Sequence, residues 1–339
     1  MSVFVSEVDE DEKTEAPFER RNITIKKCDD LKALYNLSEE LGRGKFGVVY
    51  ACVENATGKS LAAKFIKTQR KEDRIDVQRE VEIMQKLQHP RLLQLYDAFD
   101  DGLKEFVLIL ELIRGGELFE RVIDDDFVLT EKACTVFLHQ ICEGLAYMHY
   151  EAQVLHLDMK PENILCLTKT GNRIKIIDFG LARCYDPKKK LQVLFGTPEF
   201  VAPEVVNFEM VDPRTDMWSV GVITYVLLSG LSPFMGDNDG ETMANVTKAK
   251  WDFEDESFDK VTVDAKDFIT RCLVKDREKR IDSKNALNHP WLLVKKPDAN
   301  VDSALDKKKL KRFVIKRRWQ KLFNTYIALR RMGATITLT

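Results

Sequence analysis

One ordered pair of motifs narrows the folds and activities open to this chain more than any other feature. The first reads His156-Leu157-Asp158-Met159-Lys160-Pro161-Glu162-Asn163, and Asp178-Phe179-Gly180 follows fifteen positions after Asn163. An aspartate can orient an acceptor hydroxyl, and a nearby lysine can meet a phosphoryl group in transfer. An asparagine with a second aspartate can hold Mg²⁺. Each motif alone arises by chance, but this order and spacing predict a site for phosphoryl transfer.

A glycine-rich segment precedes these motifs and indicates how phosphates would be held. Residues 41–49 read Leu-Gly-Arg-Gly-Lys-Phe-Gly-Val-Val. A dinucleotide site would need a helix after the glycines, whereas residues 48–53 are rich in β-branched side chains and predict a strand. We therefore expect a hairpin turn in which Gly42, Gly44 and Gly47 let backbone amides approach phosphates.

A lysine on the next predicted strand, Lys64, could reach the α and β phosphates. Residues 74–87 have apolar side chains at helical spacing, so we expect a helix there. A glutamate on that helix could pair with Lys64 and fix its position. Glu80 and Glu82 are both candidates from the residues alone.

Over about residues 35–292 the chain resembles a eukaryotic serine/threonine protein kinase. The further motifs that carry this resemblance are Gly196-Thr197-Pro198-Glu199-Phe200, Ala202-Pro203-Glu204, Asp216-Met217-Trp218-Ser219-Val220-Gly221 and Arg280. The resemblance implies an α+β fold with a small, mainly β lobe and a larger, mainly helical lobe. Lys160 after Asp158, together with residues 196–199, is typical of kinases that act on Ser or Thr.

The resemblance also implies the roles of individual residues, with ATP and Mg²⁺ as cofactors. It favours Glu80 over Glu82 as the partner of Lys64, because the family places this glutamate ten residues before the proline of His89-Pro90. Ile113 would bond to adenine through its backbone, with Leu110 behind it and Glu117 near the ribose. The expected ATP-binding residues are Leu41, Gly42, Gly44, Gly47, Val49, Lys64, Glu80, Glu111, Ile113 and Glu117. The expected catalytic residues are Asp158, Lys160 and Asn163, and the expected metal ligands are Asn163 and Asp178.

Composition shifts along the chain predict four regions. Residues 1–34 form an acidic N-terminal extension that we expect to be a mobile leader. Residues 35–115 form the N-lobe, with one helix, and residues 116–292 form the C-lobe; residues 218–231 are expected to be a buried core helix. Residues 293–339 form a tail. The acidic start lacks a signal peptide pattern, and the apolar run at 218–231 is too short to span a membrane, which favours a cytoplasmic enzyme.

The residue between His156 and Asp158 departs from the common kinase pattern. Many kinases have an arginine there that binds a phosphate on the activation loop, whereas this chain has Leu157. Residues 181–195 contain no Ser or Thr, and Tyr185 is their one tyrosine. A phosphate in that loop would gain little, so we expect control to come from elsewhere.

The charge distribution points to the tail. Residues 301–339 carry eleven Lys and Arg against two acids, a net of +9, while the whole chain carries −2. Basic amphipathic helices bind calmodulin, membrane surfaces or nucleic acid. If helical, Trp319 and Met332 would lie about 20 Å apart, which suits the two lobes of calmodulin. The expected calmodulin-binding residues are Arg317, Arg318, Trp319, Lys321, Phe323, Tyr326 and Met332. We expect the tail, residues 293–339, to be autoinhibitory and to block the substrate cleft until calcium-loaded calmodulin removes it. A tail helix that packs its aromatic side chains on the kinase is the alternative; nucleic acid and membrane binding are not expected.

The tail and several C-lobe segments narrow the resemblance to the myosin light chain kinases, in a form typical of invertebrate muscle. The segments are Ser232–Asp239, Trp251-Asp252-Phe253, Asp264–Ile269 and Arg317–Lys321. The resemblance implies the myosin regulatory light chain as substrate, with Glu117 and Glu162 receiving its basic residues. It also implies association with the actomyosin cytoskeleton. A titin- or twitchin-like kinase module and an inactive kinase-fold scaffold are the alternatives.

Overall fold

The computed structural model describes residues 22–44, 47–293 and 303–331, except for the side chains of Asp29, Lys321 and residues 323–331. The strands are β1 (Ile25–Lys27), β2 (Tyr35–Gly44), β3 (Gly47–Glu54), β4 (Ser60–Lys67), β5 (Leu95–Asp100), β6 (Glu105–Glu111), β7 (Val154–Leu155), β8 (Ile164–Cys166), β9 (Ile174–Ile176) and β10 (Arg183–Cys184). The α-helices are α1 (Leu31–Leu34), α2 (Lys71–Lys86), α3 (Leu118–Ile123), α4 (Glu131–Tyr150), α5 (Pro203–Val206), α6 (Pro213–Ser229), α7 (Asp239–Lys248), α8 (Val263–Cys272), α9 (Ser283–Leu287) and α10 (Lys308–Arg331).

The first six strands form one sheet in the order β1-β5-β6-β4-β3-β2. Strand β6 is buried from Phe106 to Leu110, and side chains along a strand alternate between its two faces. Phe106, Leu108 and Leu110 pack in the cluster that contains α2, while Val107 and Ile109 pack in a second cluster with Leu31 and Tyr35. Both faces of this strand therefore need cover.

The second face of the sheet is covered by residues that we had expected to be mobile. Residues up to 34 were predicted to be a mobile leader, but β1 pairs in parallel with β5, from Ile25 opposite Ala98 to Lys27 opposite Asp100. Helix α1 follows and buries Leu31. The apolar second face of the sheet supplies the free energy that holds these residues, so the leader expectation is wrong for residues 25–34.

The boundaries of the predicted helices move at their N-terminal ends. Helix α2 begins at Lys71 rather than Arg74, because the Asp73 carboxylate in its first turn accepts hydrogen bonds from the backbone nitrogen of Arg70, at 2.9 Å, and from its guanidinium. Helix α6 begins at Pro213 rather than Trp218, after an N-cap by Asp212. Thr215 to Ser229 are all buried in α6, as expected for a core helix.

The two lobes and the C-terminal helix are the fold that the sequence predicts.

Helix α10 packs on the C-lobe through an apolar face. Leu310, Phe313 and Val314 are buried. Gly230, in the left-handed conformation at the end of α6, allows this approach, because a Cβ on it would lie 2.2 Å from the Leu310 nitrogen. Among the described residues, no helix combines the length and the hydropathy needed to cross a membrane.

Candidate active site

The predicted catalytic loop connects β7 to β8, and its backbone is hydrogen-bonded to Asp216 of α6. The Asp216 carboxylate accepts hydrogen bonds from the backbone nitrogens of His156, at 2.8 Å, and Leu157, at 2.7 Å. Leu157 has φ of +65°, a left-handed conformation that costs free energy for a branched residue. The two bonds to Asp216 hold the loop in this strained shape.

Asp216 is itself fixed by His149 of α4, whose Nε2 lies 2.8 Å from its Oδ2. Burial works to raise the pKa of Asp216, but the hydrogen bond and the charge of His149 outweigh it, and the pKa is lowered. The carboxylate is therefore stabilised as the ionised acceptor that the loop requires.

The three predicted catalytic residues lie together in this loop. Lys160 Nζ contacts Asp158 Oδ2, and Asn163 Nδ2 donates to the Asp158 carbonyl oxygen at 2.8 Å. Thr197 Oγ1 donates to Asp158 Oδ1 at 3.0 Å and lies 3.2 Å from Lys160 Nζ. The aspartate thus has both carboxylate oxygens oriented by neighbours, as a group that must meet an acceptor hydroxyl requires.

Sequence reasoning missed this position of Thr197. We interpreted the motif at residues 196–199 only as typical of Ser/Thr specificity. The same motif could have indicated that its threonine lies beside the catalytic aspartate. The hydroxyl reaches Asp158 across 39 residues of chain. Only the folded activation segment brings the two groups together.

The two predicted metal ligands are connected through the backbone. The Ile177 nitrogen donates to the Asn163 carbonyl oxygen at 2.9 Å, and Asp178 follows directly with φ of +66°. Since Asn163 donates through Nδ2, its Oδ1 is the side-chain atom left to bind a cation. Among the described residues there is no group of three or more His, Cys, Asp or Glu that could hold a metal. Two oxygen ligands fit Mg²⁺, which takes few protein ligands and is completed by phosphates and water.

The predicted lysine and its predicted partner meet. Lys64 Nζ of β4 lies 3.1 Å from Glu80 Oε1 of α2. Burial acts to lower the pKa of Lys64, but the carboxylates of Glu80 and Asp178 outweigh it and raise the pKa. Lys64 therefore stays a cation although its side chain is largely covered, as a group that binds phosphates must.

The glycine-rich segment is the end of the β2–β3 hairpin, as predicted. Gly42 lies opposite Val49, and Val49 lies opposite Lys64 on β4. Gly47 has φ of +144°, and a Cβ there would lie 1.7 Å from the Phe65 carbonyl oxygen, so this position requires glycine. Leu41 is 43% exposed. Lys45 and Phe46 lie outside the described residues.

The hinge, residues 111–117, connects the lobes beside this hairpin. Glu111 ends β6 opposite Leu61 of β4, and Leu110 is 7% exposed. Ile113 lies in the connecting segment, and Glu117 forms a bridge to Leu165 of β8. The predicted adenine and ribose residues thus lie on one segment, next to the strand that carries Lys64.

The tail residues predicted to bind calmodulin lie in two different environments. Arg317 points into the C-lobe, where its Nη2 lies 2.7 Å from Glu162 Oε1 and its Nη1 lies 2.7 Å from Glu199 Oε1. Its guanidinium lies 4.9 Å from the centre of the Phe200 ring. Glu162, Glu199 and Phe200 form what we call the acidic recess. Arg318 and Trp319 face outward, with Trp319 68% exposed.

The remaining predicted residues of this set are not all described. Lys321, Phe323 and Tyr326 lie on helix α10, but their side chains are outside the described residues, and so is the whole of Met332. Ile315 and Leu322 are exposed at 50% and 56% and share the outward face with Trp319. The alternative in which the tail packs its aromatics on the kinase is wrong for Trp319.

The sequence predicted one of the two carboxylates of the acidic recess. Glu162 was expected to receive basic residues, whereas Glu199 was not singled out. Burial raises the pKa of Glu199, and the charge of Arg317 opposes this shift. The recess therefore favours a cation as its occupant.

Contacts between the protein's own groups hold the activation segment. Glu204 accepts two hydrogen bonds from Arg280, at 2.7 and 2.9 Å, in a buried pair. Leu157 is 8% exposed within the apolar core, and the Tyr185 nitrogen donates to the Gln153 carbonyl oxygen at 2.7 Å. A buried ion pair, apolar packing and a backbone hydrogen bond therefore hold the activation segment and the catalytic loop beside it.

We therefore expect phosphatase treatment to leave the maximal activity of the purified protein unchanged. Leu157 offers no charge to a phosphate on the activation segment, so removing one should not reorder the loop. Mass spectrometry before and after treatment, with initial rates measured in parallel, would check this. A large loss of rate that maps to residues 181–195 would contradict it.

Known protein families include one that matches most of this chain. The family described as "Protein kinase domain" matches residues 35–292. The chain is thus a protein kinase, and its relatives place it among those that act on serine and threonine.

The relatives also define the family within this class. The human "Myosin light chain kinase family member 4" is 52% identical over 279 residues, which are 82% of this chain and 71% of that protein. The smooth-muscle myosin light chain kinase of Gallus gallus is 48% identical over 97% of this chain, but the match spans only 17% of its length. The chain belongs to the myosin light chain kinase family.

A solved structure gives the same fold. The C. elegans twitchin kinase fragment, titled an autoregulated protein kinase with immunoglobulin domains, superposes with a TM-score of 0.83 at 42% identity. The match covers 92% of this chain and 69% of that one. Nothing in these comparisons tests the predicted invertebrate origin, which stays a prediction.

Proposed function

We propose that this protein is a calcium/calmodulin-regulated kinase that transfers the γ-phosphate of ATP to the myosin regulatory light chain, and that its tail holds it inactive. The single observation that carries the proposal is Arg317 in the acidic recess. This arginine belongs to the segment predicted to bind calmodulin, and it lies against Glu162 of the catalytic loop. One residue therefore serves two competing partners.

The recess has the chemistry of a site for a substrate arginine. Two carboxylates hold the guanidinium and an aromatic ring lies against it, which is how proteins bind arginine most specifically. The tail contains no Ser, Thr or Tyr from residue 304 to residue 324. It can occupy the substrate groove without accepting a phosphate.

Further ion pairs hold the tail along the C-lobe. Lys309 Nζ lies 2.7 Å from Asp255 Oδ1, and Lys311 contacts Asp125. The hydrogen bond from Lys309 holds the pKa of Asp255 near 2, well below its usual value. These contacts place a basic helix on an acidic surface, and a basic segment of a substrate would compete for the same surface.

Release would begin from the outward face of the tail. Ile315, Trp319 and Leu322 present an apolar stripe to solvent while Arg317 stays bound. Calcium-loaded calmodulin takes helices of this kind. Because calmodulin and the recess bind overlapping residues, its binding shifts the tail away from the active site.

The chemistry proposed for the active site is in-line transfer. Asp158 orients the acceptor hydroxyl and finally takes its proton, and Lys160 offsets charge on the γ-phosphate. Lys64, held by Glu80, positions the nucleotide between the glycine-rich hairpin and the hinge. Asn163 and Asp178 would hold Mg²⁺, which neutralises charge on the phosphates when bound.

The test is a kinase assay on purified regulatory light chain, with and without Ca²⁺ and calmodulin. We expect transfer from labelled ATP only when both are present, and a chelator should abolish it. An inactive scaffold would transfer nothing under any condition. Activity that does not depend on calmodulin would favour a titin- or twitchin-like module, with which this chain shares its fold.

A further inference from the structure

A buried lysine that the catalytic proposal does not use joins the two lobes. Lys175, in the middle of β9, is 5% exposed. Its Nζ lies 2.9 Å from Glu111 Oε2 and 3.5 Å from the Leu92 carbonyl oxygen. Burying a lysine is costly unless its charge is matched, and Glu111 matches it.

The ion pair connects the hinge to the C-lobe. Glu111 ends β6 of the N-lobe sheet, and its nitrogen donates to the Gln94 carbonyl oxygen at 2.9 Å. Strand β9 pairs with β8 in a two-stranded sheet of the C-lobe, and its Ile176 also forms a bridge to Leu92. The pair thus ties the residue that opens the hinge to a strand on the other side of the nucleotide cleft.

Strand β9 leads directly to the expected metal ligands. Ile176 donates to the Arg91 carbonyl oxygen at 2.8 Å, and Ile177 donates to the Asn163 carbonyl oxygen at 2.9 Å. Asp178 is the next residue. A shift of β9 relative to the hinge would therefore carry Asn163 and Asp178 away from the adenine end of the site.

We propose that Lys175 is a positioning residue for the nucleotide. Through Glu111 it sets the separation between the hinge, which takes adenine, and the Asn163–Asp178 pair, which takes the phosphate end with its metal. The proposal rests on the nucleotide site of the proposed function and not on its substrate or regulation. ATP spans both ends of the cleft whereas adenosine occupies one, so the ion pair should matter for ATP and little for adenosine.

The test measures binding of a non-hydrolysable ATP analogue with Mg²⁺, and of adenosine, to the full chain by calorimetry. In Lys175→Met we expect the Kd of the analogue to rise about tenfold and that of adenosine by less than about threefold. Lys175→Arg, which keeps a cation near Glu111, should recover most of the affinity. The double variant with Glu111→Gln should bind no more weakly than Lys175→Met alone, because the two changes remove one interaction.

A matched control separates positioning from stability. Lys26 also pairs with a buried carboxylate, Asp97 at 2.6 Å, but this pair lies wholly within the N-lobe. Both Lys26→Met and Lys175→Met should lower the Tm, and only Lys175→Met should change the ratio of the two Kd values. Should Lys175→Met fail to fold, Glu111→Gln, which keeps the shape of the side chain, should change the ratio in the same direction.

Two results would overturn the proposal. One is a lower Tm in Lys175→Met with an unchanged ratio of Kd values, which would make the lysine merely structural. The other is an equal loss for the analogue and for adenosine, which would place its effect on the hinge alone. The assay needs neither calmodulin nor a light chain. Failure of the wild-type chain to bind the analogue would instead count against the proposed function.

Discussion

Asp158→Asn should lower the rate of phosphoryl transfer by about a thousandfold while the protein still binds ATP, as expected for the loss of a positioned base. The carboxylate lies in the catalytic loop between Lys160 and Thr197, and the nucleotide is expected to be held elsewhere, by Lys64 and the hinge. An interaction made in the transition state but not with bound ATP lowers the rate and leaves nucleotide affinity unchanged.

Single-turnover kinetics and calorimetric ATP binding would check this result together. Asp186→Asn is the matched control and should keep its rate: Asp186 lies in the same activation segment, but its carboxylate contacts the exposed Lys189 ammonium and the Lys188 backbone nitrogen rather than the catalytic loop. Near-normal turnover of Asp158→Asn would remove this residue from its proposed role. A parallel loss of ATP binding would mean that the variant had disturbed the cleft.

Removing the tail before Lys307 should make the kinase active without calmodulin, because the acidic recess would then be open to substrate. A point variant tests the same contact in the full chain. Arg317→Ala leaves two partly buried carboxylates without their cation, and loss of one partner from a buried charge pair typically costs about 2–5 kcal/mol, an upper range for this site. We expect activity without calmodulin to rise by about tenfold or more.

The neighbouring residue supplies the control. Arg318 has a side chain that is 71% exposed and lies 3.9 Å from Glu120, so Arg318→Ala should leave activity without calmodulin nearly unchanged. Trp319→Ala removes an exposed anchor and should weaken calmodulin binding while the enzyme stays mostly off. Continued dependence of the truncated enzyme on calmodulin would disprove autoinhibition by the tail, and the protein kinase class would stand.

Local motifs made much of the active site predictable. Asp158, Lys160 and Asn163 lie within six residues of chain, so their spacing alone indicates a shared loop. Lys64 and Glu80 were paired through the resemblance to the family. The helix boundaries were less predictable, because caps such as Arg70 with Asp73 depend on side chains that precede the apolar pattern.

Other contacts could not be predicted because they join distant parts of the chain. Arg317 lies 155 residues from Glu162 and 118 from Glu199. A basic helix in sequence indicates an acidic partner but not which acidic surface. The ordering of residues 25–34 was missed for the same reason, since nothing in this short segment shows that it covers the second face of a sheet formed by later residues.

By itself, the sequence determined the class of chemistry, the loop that brings the predicted catalytic residues together and the basic character of the tail, because each depends on residues that are close in the chain. The tertiary structure decided which carboxylates receive Arg317, which face of α10 stays open, and that Lys175 joins the hinge to the strand before Asp178. Apolar periodicity specifies that a face will be buried. Only the packing of distant elements, each competing to bury area and match charge, selects what covers it.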